Sequence, residues 1–297
     1  MCLKKQLENF TLAKIYFDEP MSKRTSLGVG GKAKFFAEVD SLHGLNSLIK
    51  LADDYGVKIK ILGNGTNVLV SDNGFDGLII STKKLSDVFF KREEIRAMAG
   101  AGLDKLARFA KDNRLSGFET LVGIPATVGG AVVMNAGAFG HNISDHITTV
   151  ETLCQGKIKV YNKEDCKFAY RKSRFLGKNE VVISACFALK EVDKSLILAR
   201  EKSYQEVRFA MQPLGKSCGS VFKNPKPYTA GQLIDKAGLK GVSLGGATVS
   251  EKHGNFITTK SRATASDVYA LIRIIKDKIK GEFGIILEAE VEFVGDF

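Results

Sequence analysis

Two glycine-rich segments interrupt an otherwise regular succession of short strands and helices. The first covers residues 63–67, and the second covers residues 123–140 without a single charged side chain. Small residues let backbone N–H groups approach an anion closely. Either segment alone could be a set of tight turns. Together with Thr25, Gly30 and Gly31, they favour loops that clasp an extended pyrophosphate.

The standard nucleotide-binding motifs are incomplete in this chain. Gly28-Val29-Gly30 lacks the third glycine of GxGxxG, because Ala33 stands at that position. Gly63-Asn64-Gly65 fails the same test at Val68. Gly215-Lys216-Ser217 resembles the end of a P-loop, but the first glycine of that motif is missing. The sequence therefore indicates neither a dinucleotide-binding Rossmann unit nor a P-loop.

Hydrophobic periodicity predicts an α+β protein in three consecutive segments. We expect them at 1–85, with an N-terminal helical extension at 1–20, at 86–193 and at 194–297. Alternating and apolar runs predict strands at 34–39, 57–62, 68–70, 78–80, 95–99, 150–154, 157–161, 181–189 and 285–294.

Helical spacing predicts four main helices. The first has Ser41 as its N-cap, and the second begins at Leu103 with Leu106, Phe109 and Ala110 facing inward. For the last helix we expect termination at Gly281. The third opens the last segment and bears Leu196, Ala199, Tyr204 and Val207.

Composition restricts the class of protein. The chain has 297 residues, of which 44% are hydrophobic and 26% charged, values typical of a folded soluble protein. No apolar run reaches the roughly 18 residues of a membrane span, and residues 1–10 lack the core of a signal peptide. We therefore expect a cytoplasmic protein with no membrane partner.

The cysteines do not form a metal or disulfide pattern. No CxxC occurs, and no histidine lies near a cysteine pair, so we expect no metal site and no disulfide framework. Reduced, mostly buried thiols are expected for the scattered set Cys2, Cys154, Cys166, Cys186 and Cys218.

The net charge of +11 attracts polyanions, which include nucleic acids, nucleotides and cofactor phosphates. Nucleic-acid-binding proteins usually concentrate such charge in one stripe, whereas here Lys and Arg are spread along the chain. No nucleic-acid-binding module can be recognised. We therefore expect small phosphorylated ligands and no nucleic acid.

A polar cluster in the last segment could carry chemistry. Ser220, Lys223 and Asn224 place a hydroxyl, an ammonium and an amide within five residues. No Ser-His-Asp spacing or GxSxG elbow surrounds the serine, so acyl-enzyme chemistry is not favoured. The serine is either a turn residue or a proton donor to a strongly basic carbanion.

Further charged residues could stabilise negative charge. Residues 170–175 form a basic hexapeptide with aromatic ends, which is either a solvated turn or a guanidinium held near a developing enolate. Glu288 and Glu290 are predicted on one face of the last strand. Each could pair with a lysine or orient a proton donor.

Taken together, these segments resemble the UDP-N-acetylenolpyruvoylglucosamine reductase family, in order, from about residue 20 to 295. The matching stretches are residues 25–31, 62–67, 123–130, 135–138, 170–173, 218–225, 230–241, 253–256 and 287–291. Only 49 residues separate Arg171 from Ser220, which is typical of the family form that lacks an extra tyrosine-bearing loop.

The resemblance implies a two-part FAD-binding unit of the vanillyl-alcohol-oxidase/PCMH type, followed by a smaller α+β substrate-binding domain. It implies that NADPH reduces non-covalently bound FAD and that flavin N5 passes hydride to C3 of a UDP-sugar enolpyruvyl ether, in peptidoglycan precursor synthesis. Ser220 matches the family's proton donor to C2. Arg171 and Glu290 match the residues that stabilise the enolate and assist protonation. A monomer is expected.

The resemblance also assigns binding residues. Tyr170, Lys223 and Asn224 are expected to contact the substrate. Cofactor contacts are expected from Gly30, Gly63, Asn64, Gly65, Thr66, Asn67, Gly123, Ile124, Pro125, Thr127, Gly129, Gly130, Asn135 and Gly137.

Two alternatives stay open at this point. A related FAD oxidase of the same fold would act on an alcohol or hydroxy acid and often tethers its flavin through His or Cys. No histidine lies in either glycine loop, since His141 follows the second. A basic RNA- or DNA-binding protein would show salt-dependent affinity for nucleic acid and no yellow colour.

Overall fold

The computed structural model describes residues 3–92 and 94–297. Its helices are α1 (Leu3–Glu8), α2 (Leu42–Asp54), α3 (Leu103–Asp112), α4 (Val128–Met134), α5 (Lys194–Met211), α6 (Ala230–Lys236) and α7 (Ala265–Phe283). No helix in this range combines the length and the apolar character needed to cross a lipid bilayer.

The strands are distributed along the whole described chain. The earlier ones are β1 (Lys14–Pro20), β2 (Lys32–Glu38), β3 (Ile59–Leu62), β4 (Val68–Val70), β5 (Phe75–Ser81), β6 (Val88–Lys91), β7 (Glu94–Met98), β8 (Leu115–Ser116), β9 (Gly137–Ala138) and β10 (His141–Asn142). The later ones are β11 (Ile147–Cys154), β12 (Lys157–Asn162), β13 (Val181–Phe187), β14 (Lys190–Glu191), β15 (Lys216–Ser220), β16 (Ser243–Leu244), β17 (Ala247–Val249), β18 (Phe256–Thr259) and β19 (Glu292–Val294).

The predicted starts of two helices are confirmed. The Ser41 hydroxyl accepts a hydrogen bond from the Gly44 N–H at 3.1 Å and caps α2, which begins at the next residue. The helix α3 begins at Leu103 and buries Leu106 and Ala110.

The predicted end of the last helix was wrong. Gly281 lies inside α7, which continues to Phe283. Gly284 adopts a left-handed φ of 69° and donates its N–H to the Lys280 carbonyl at 3.0 Å. A glycine in this conformation just past the last helical residue is the usual stop signal.

The helix predicted at the start of the last segment is confirmed as α5. Leu196 and Val207 are exposed, whereas Ile197 and Glu201 are buried. The buried carboxylate is compensated by Lys111, whose ammonium lies 2.7 Å away. The buried side of α5 therefore carries an ion pair beside the apolar Ile197.

Both chain ends differ from expectation. The predicted N-terminal helical extension is a helix only over Leu3–Glu8 and continues as β1. The predicted strand at 285–294 is reduced to β19, which pairs in parallel with β4. Glu288 and Glu290 therefore lie in the extended segment before that strand. This segment makes one isolated bridge, between Ala289 and Phe222.

The chain forms two compact units, each built from discontinuous stretches. The first unit contains residues 3–16, 35–64, 77–92 and 94–208, and the second contains residues 17–34, 65–76 and 209–297. The three domains expected at 1–85, 86–193 and 194–297 stay a prediction.

The first unit is built around a five-stranded antiparallel sheet. Its strand order is β12–β11–β13–β7–β6. Ala97, Val150 and Ala185 of this sheet share a buried core with Leu106 of α3 and Val132 of α4. Burial of these side chains fixes both helices, and with them the glycine-rich segment that α4 belongs to.

The second unit is built around α7 and the antiparallel sheet β15–β18–β17–β16. Leu27 and Leu69, from two earlier stretches of chain, belong to the same core. The helix contributes an apolar stripe at helical spacing, composed of Val268, Leu271, Ile272, Ile275 and Ile279.

Candidate functional site

The loop at residues 63–67 leaves its backbone donors available. It follows β3 and leads directly into β4. Its N–H groups donate to no acceptor in the described part of the chain, although Gly65 is buried and the other residues are half-buried. Gly65 has a left-handed φ of 68°. Successive unpartnered N–H groups in such a loop form a concavity suited to an anion.

The segment at 123–130 uses its backbone donors inside the protein. Val128 and Gly129 donate to the carbonyls of Ala101 and Ala99, both at 2.8 Å. Gly123 donates to the Asp104 carboxylate at 2.9 Å. The N–H cradle predicted from these glycines is therefore not found at these positions. The backbone is committed to anchoring the start of α4.

Two contacts within the first unit join these segments. The Asn64 side-chain amide donates to the Pro125 carbonyl at 2.8 Å. Gly63 lies so close to Thr127 that a Cβ at position 63 would overlap the Thr127 hydroxyl oxygen. That hydroxyl accepts from the Gly130 N–H at 3.5 Å and caps α4. Gly63, Asn64, Pro125 and Thr127 are thus brought together.

The predicted residue Arg171 lies in a turn next to the end of α4. Its backbone has a left-handed φ of 51°. One guanidinium nitrogen donates to the Gly137 carbonyl at 2.8 Å, and the guanidinium lies 5.1 Å from the centre of the Tyr170 ring. Asn135 is buried and donates from its side-chain amide to Ala169 at 2.9 Å. The first unit therefore groups Asn135, Gly137, Tyr170 and Arg171.

Gly30 in the second unit is required by local packing. Its φ is 119°, and a Cβ there would lie 3.0 Å from the Val70 Cβ. The nearby Thr25 hydroxyl donates to the Val29 carbonyl at 3.0 Å and holds the turn together. Ser26 donates its N–H to the Gly65 carbonyl at 3.0 Å, which fixes this turn to the 63–67 loop.

Ser220 is the last residue of β15 and is half-buried. Gly219 precedes it with a left-handed φ of 73°, and the register of β15 against β18 shifts between Ser217 and Ser220. Bulges of this kind redirect a side chain at the end of a strand. Beyond Ser220 the chain leaves the sheet.

The segment after Ser220 runs beside the segment that carries the two glutamates. The N–H of Glu290 donates to the Val221 carbonyl at 2.8 Å, and the N–H of Lys223 donates to the Glu288 carbonyl at 2.9 Å. The Lys223 ammonium pairs with the Glu288 carboxylate at 2.5 Å. The second unit therefore groups Ser220, Lys223 and Glu290. Glu288 is the glutamate that pairs with a lysine, one of the two roles considered for it from the sequence.

Sequence reasoning gave no role to two residues that support these groups. Asn255 accepts from the Phe222 N–H at 2.9 Å and donates to the Phe222 carbonyl at 2.8 Å, so it fixes the backbone after Ser220. The Ser173 hydroxyl donates to the Val133 carbonyl at 2.7 Å, close to Arg171 in sequence. Only their positions inside family motifs could have marked them. Asn224 makes a backbone contact, accepting from Ala230 at 2.9 Å.

Cys166, Cys186 and Cys218 are buried and Cys154 is half-buried, while Cys2 lies outside the described residues. Burial, with a smaller contribution from the nearby Glu290 carboxylate, raises the pKa of Cys218 to about 12. Burial also raises the pKa of Cys166 to about 11. Both thiols stay protonated and unreactive near neutral pH. Among the described residues, no group of His, Cys, Asp and Glu could hold a metal ion.

Two family models match different parts of the chain. Residues 33–160 match the family model described as an FAD binding domain. Residues 211–294 match the model described as UDP-N-acetylenolpyruvoylglucosamine reductase, C-terminal domain. A solved structure of Physcomitrella patens BBE-like 1 is 18% identical with a TM-score of 0.51, covering 65% of this chain and 45% of that chain.

The chain is an α+β protein that joins an FAD-binding unit of the vanillyl-alcohol-oxidase/PCMH type to a smaller α+β domain.

Relatives that match over nearly the whole chain identify the family. A Carboxydothermus hydrogenoformans protein named UDP-N-acetylenolpyruvoylglucosamine reductase is 39% identical, covering 99% of this chain and 98% of its own length. The Shouchella clausii protein of that name is 40% identical over 95% and 91%. The crystal structure of this reductase from Thermus caldophilus has a TM-score of 0.83 at 36% identity, covering 95% of this chain and 99% of that chain. The chain belongs to the UDP-N-acetylenolpyruvoylglucosamine reductase family.

Proposed function

We propose that this chain reduces UDP-N-acetylenolpyruvoylglucosamine to UDP-N-acetylmuramate, with FAD as cofactor and NADPH as hydride donor. Family membership and the matched FAD-binding domain support the reaction class. In this role the protein is a non-covalent flavoprotein, cytoplasmic and monomeric, and it acts in peptidoglycan precursor synthesis.

The 63–67 loop fits the phosphates of FAD. Its unpartnered N–H groups supply donors without adding charge, and the amide of Asn64 ties the loop to Pro125. In the second segment, Gly130 is exposed and has only the Thr127 hydroxyl near its Cβ position, at 3.5 Å. This leaves room for a ligand to approach the backbone. The remaining predicted cofactor contacts are Gly30, Gly123, Ile124, Gly129, Asn135 and Gly137.

The chemistry that bound FAD supplies is hydride transfer, from NADPH and then from flavin N5 to C3 of the enolpyruvyl group. Hydride addition at C3 leaves negative charge at C2 and on the adjoining carboxylate. The Arg171 guanidinium stabilises that charge, because a fixed cation is most effective where charge develops. The Gly137 carbonyl and the Tyr170 ring hold this guanidinium in one orientation.

Ser220 delivers the proton to C2 in this proposal. A carbanion at C2 is basic enough to take a proton from an unactivated hydroxyl, so no adjacent histidine is needed. The bulge before Ser220 and the hydrogen bonds around Phe222 hold the serine at the end of β15. Glu290, whose backbone is bonded to Val221, assists this protonation.

Substrate binding falls to residues beside these groups. Lys223 and Asn224 follow Ser220 in sequence, and Tyr170 precedes Arg171. The Lys223 ammonium is held by Glu288, whose side chain is 71% exposed. An anionic UDP-sugar would compete for that ammonium.

The observation that carries the proposal is the grouping of Ser220, Lys223 and Glu290 in a chain with full-length reductase relatives. An absorption spectrum of the purified protein tests it. Flavin bands should bleach with NADPH and return anaerobically when UDP-N-acetylenolpyruvoylglucosamine is added. Bound flavin that is not reoxidised would leave the FAD-binding unit standing and reject the substrate.

A single substitution tests the proton donor. Ser220→Ala should keep FAD and its reduction by NADPH but slow reoxidation by substrate about 10²- to 10⁴-fold, the usual contribution of a positioned acid. Ser217→Ala, in the same strand, is the matched control and should reoxidise normally. Full turnover by Ser220→Ala would reject the assignment of Ser220.

A further inference from the structure

We propose that Asn135 is a positioning residue for Arg171, and that its amide also offers an acceptor to a bound ligand. The first half of this inference rests on the proposed function, because it takes Arg171 as the residue that stabilises the enolate. Asn135 was expected only as a cofactor contact. The contacts around residues 169–173 give it a second task.

The turn that carries Arg171 is unusual for a non-glycine residue. Its left-handed φ of 51° is seldom adopted unless the surroundings impose it. The turn is closed by two hydrogen bonds, from the Ala169 N–H to the Lys172 carbonyl at 2.9 Å and in the reverse direction at 3.1 Å. These bonds shape the turn but do not attach it to the rest of the unit.

The attachment comes from the end of α4. Asn135 donates from Nδ2 to the Ala169 carbonyl at 2.9 Å, and Ser173 donates from Oγ to the Val133 carbonyl at 2.7 Å. Both side chains are only 3% exposed. The turn is therefore held at both of its ends, and the guanidinium of Arg171 adds a third contact to Gly137.

The orientation of the Asn135 amide follows from chemistry. A carbonyl oxygen can only accept, so the NH₂ group must face Ala169. The Oδ1 atom is consequently an acceptor, and it is buried without a partner among the described residues. Buried acceptors without partners are rare in folded proteins, so a ligand N–H or O–H would complete this one.

Asn135 also has the backbone that this task requires. It is the C-cap of α4, with a left-handed φ of 46° that asparagine tolerates better than most residues. One residue thus ends the helix, holds the Arg171 turn and leaves an acceptor for a ligand. Ligand binding and the position of Arg171 are coupled through this amide.

The test uses Asn135→Gly, which removes the amide and keeps the left-handed cap. At saturating FAD, reoxidation by the enolpyruvyl substrate should slow about 10- to 100-fold, as expected for a displaced catalytic group. The FAD dissociation constant, measured by flavin fluorescence, should rise. An FAD dissociation constant equal to that of the wild type would reject the ligand contact at Oδ1.

Asn113→Gly is the matched control. Asn113 caps α3 and donates from its amide to the Phe109 carbonyl at 2.8 Å, away from the predicted site residues in sequence. It should show wild-type FAD affinity and reoxidation. Asn135→Asp keeps the size of the side chain and loses the NH₂ donor, so it provides a second variant if Asn135→Gly does not fold. It should slow reoxidation as well.

A double-mutant cycle separates positioning from a general structural effect. In an Arg171→Ala background, Asn135→Gly should cause no further slowing of reoxidation, because the residue through which it acts is gone. Equal slowing in both backgrounds would overturn the positioning role.

Hydrogen exchange of the FAD-bound protein tests the positioning role without turnover. Amides in residues 166–175 should exchange faster in Asn135→Gly than in the wild type or in Asn113→Gly. Unchanged exchange there would reject the inference about the turn. A wild-type protein that is never reoxidised by substrate would instead reject the proposed function.

Discussion

In the loop at 63–67 the backbone N–H groups donate to no acceptor in the described chain, whereas in the segment at 123–130 they are largely bonded within the protein. Their glycine contents are similar, with two glycines among residues 63–67 and three among residues 123–130. One loop leaves its donors available. The other uses them to fix the start of α4.

The glycines differ for the same reason. Gly65 is needed because its φ is left-handed and because a Cβ there would overlap the Arg24 carbonyl oxygen. Gly129 has an ordinary φ but lies against Ala99, whose Cβ would be 2.9 Å from an added Cβ. Glycine content therefore does not distinguish a loop that binds an anion from one that packs closely. The two kinds of loop differ in whether their backbone N–H groups are hydrogen-bonded within the protein.

The largest effect should come from Gly65→Ala in the first loop. Strain at a left-handed φ and overlap with a backbone carbonyl that cannot rotate away should together lower the free energy of unfolding by about 3 to 5 kcal/mol. Urea denaturation of the FAD-free protein measures this. The control is Gly56→Ala, where φ is 62° and no atom lies within 4 Å of the Cβ position. It should cost only about 1 to 2 kcal/mol.

An intermediate effect is expected where the two loops touch. Gly63→Ala should cost about 1 to 3 kcal/mol because its Cβ displaces the Thr127 hydroxyl. Thr127→Ala alone should cost about 0.5 to 1 kcal/mol, as a lost helix cap. The double variant should be no less stable than Thr127→Ala. Additive losses in chemical denaturation would show that the two loops are not coupled through this contact.

The smallest effect on stability should come from Gly130→Ala in the second loop. The position is helical and exposed, so alanine should raise the free energy of unfolding by about 0.5 to 1 kcal/mol. If the cofactor approaches this backbone as proposed, FAD affinity should fall in the same variant. A stabilised variant with unchanged FAD affinity would remove Gly130 from the cofactor site.

Much of the local structure could be predicted from the sequence. Ser41 and Leu103 start helices where expected, since capping and apolar periodicity act over a few neighbouring residues. That both loops serve one ligand stays a prediction, although Asn64 contacts the second glycine segment. Motif order alone was enough to suggest the family.

Two features that the sequence did not predict share a physical cause. The buried side of α5 is decided by Lys111, which is 90 residues from Glu201 and neutralises it. The last strand is short because its only ladder partner is β4, more than 200 residues earlier. Local patterns carry no information about such distant partners.

The sequence by itself determined the family and the α+β class, because motifs and periodicity are properties of neighbouring residues. Only the tertiary structure decided which glycine loop keeps its N–H groups available, and that Asn135 and Ser173 hold the turn of Arg171. Hydrogen bonds of this kind join residues far apart in the chain, so their partners exist only once the core has brought them within about 3 Å.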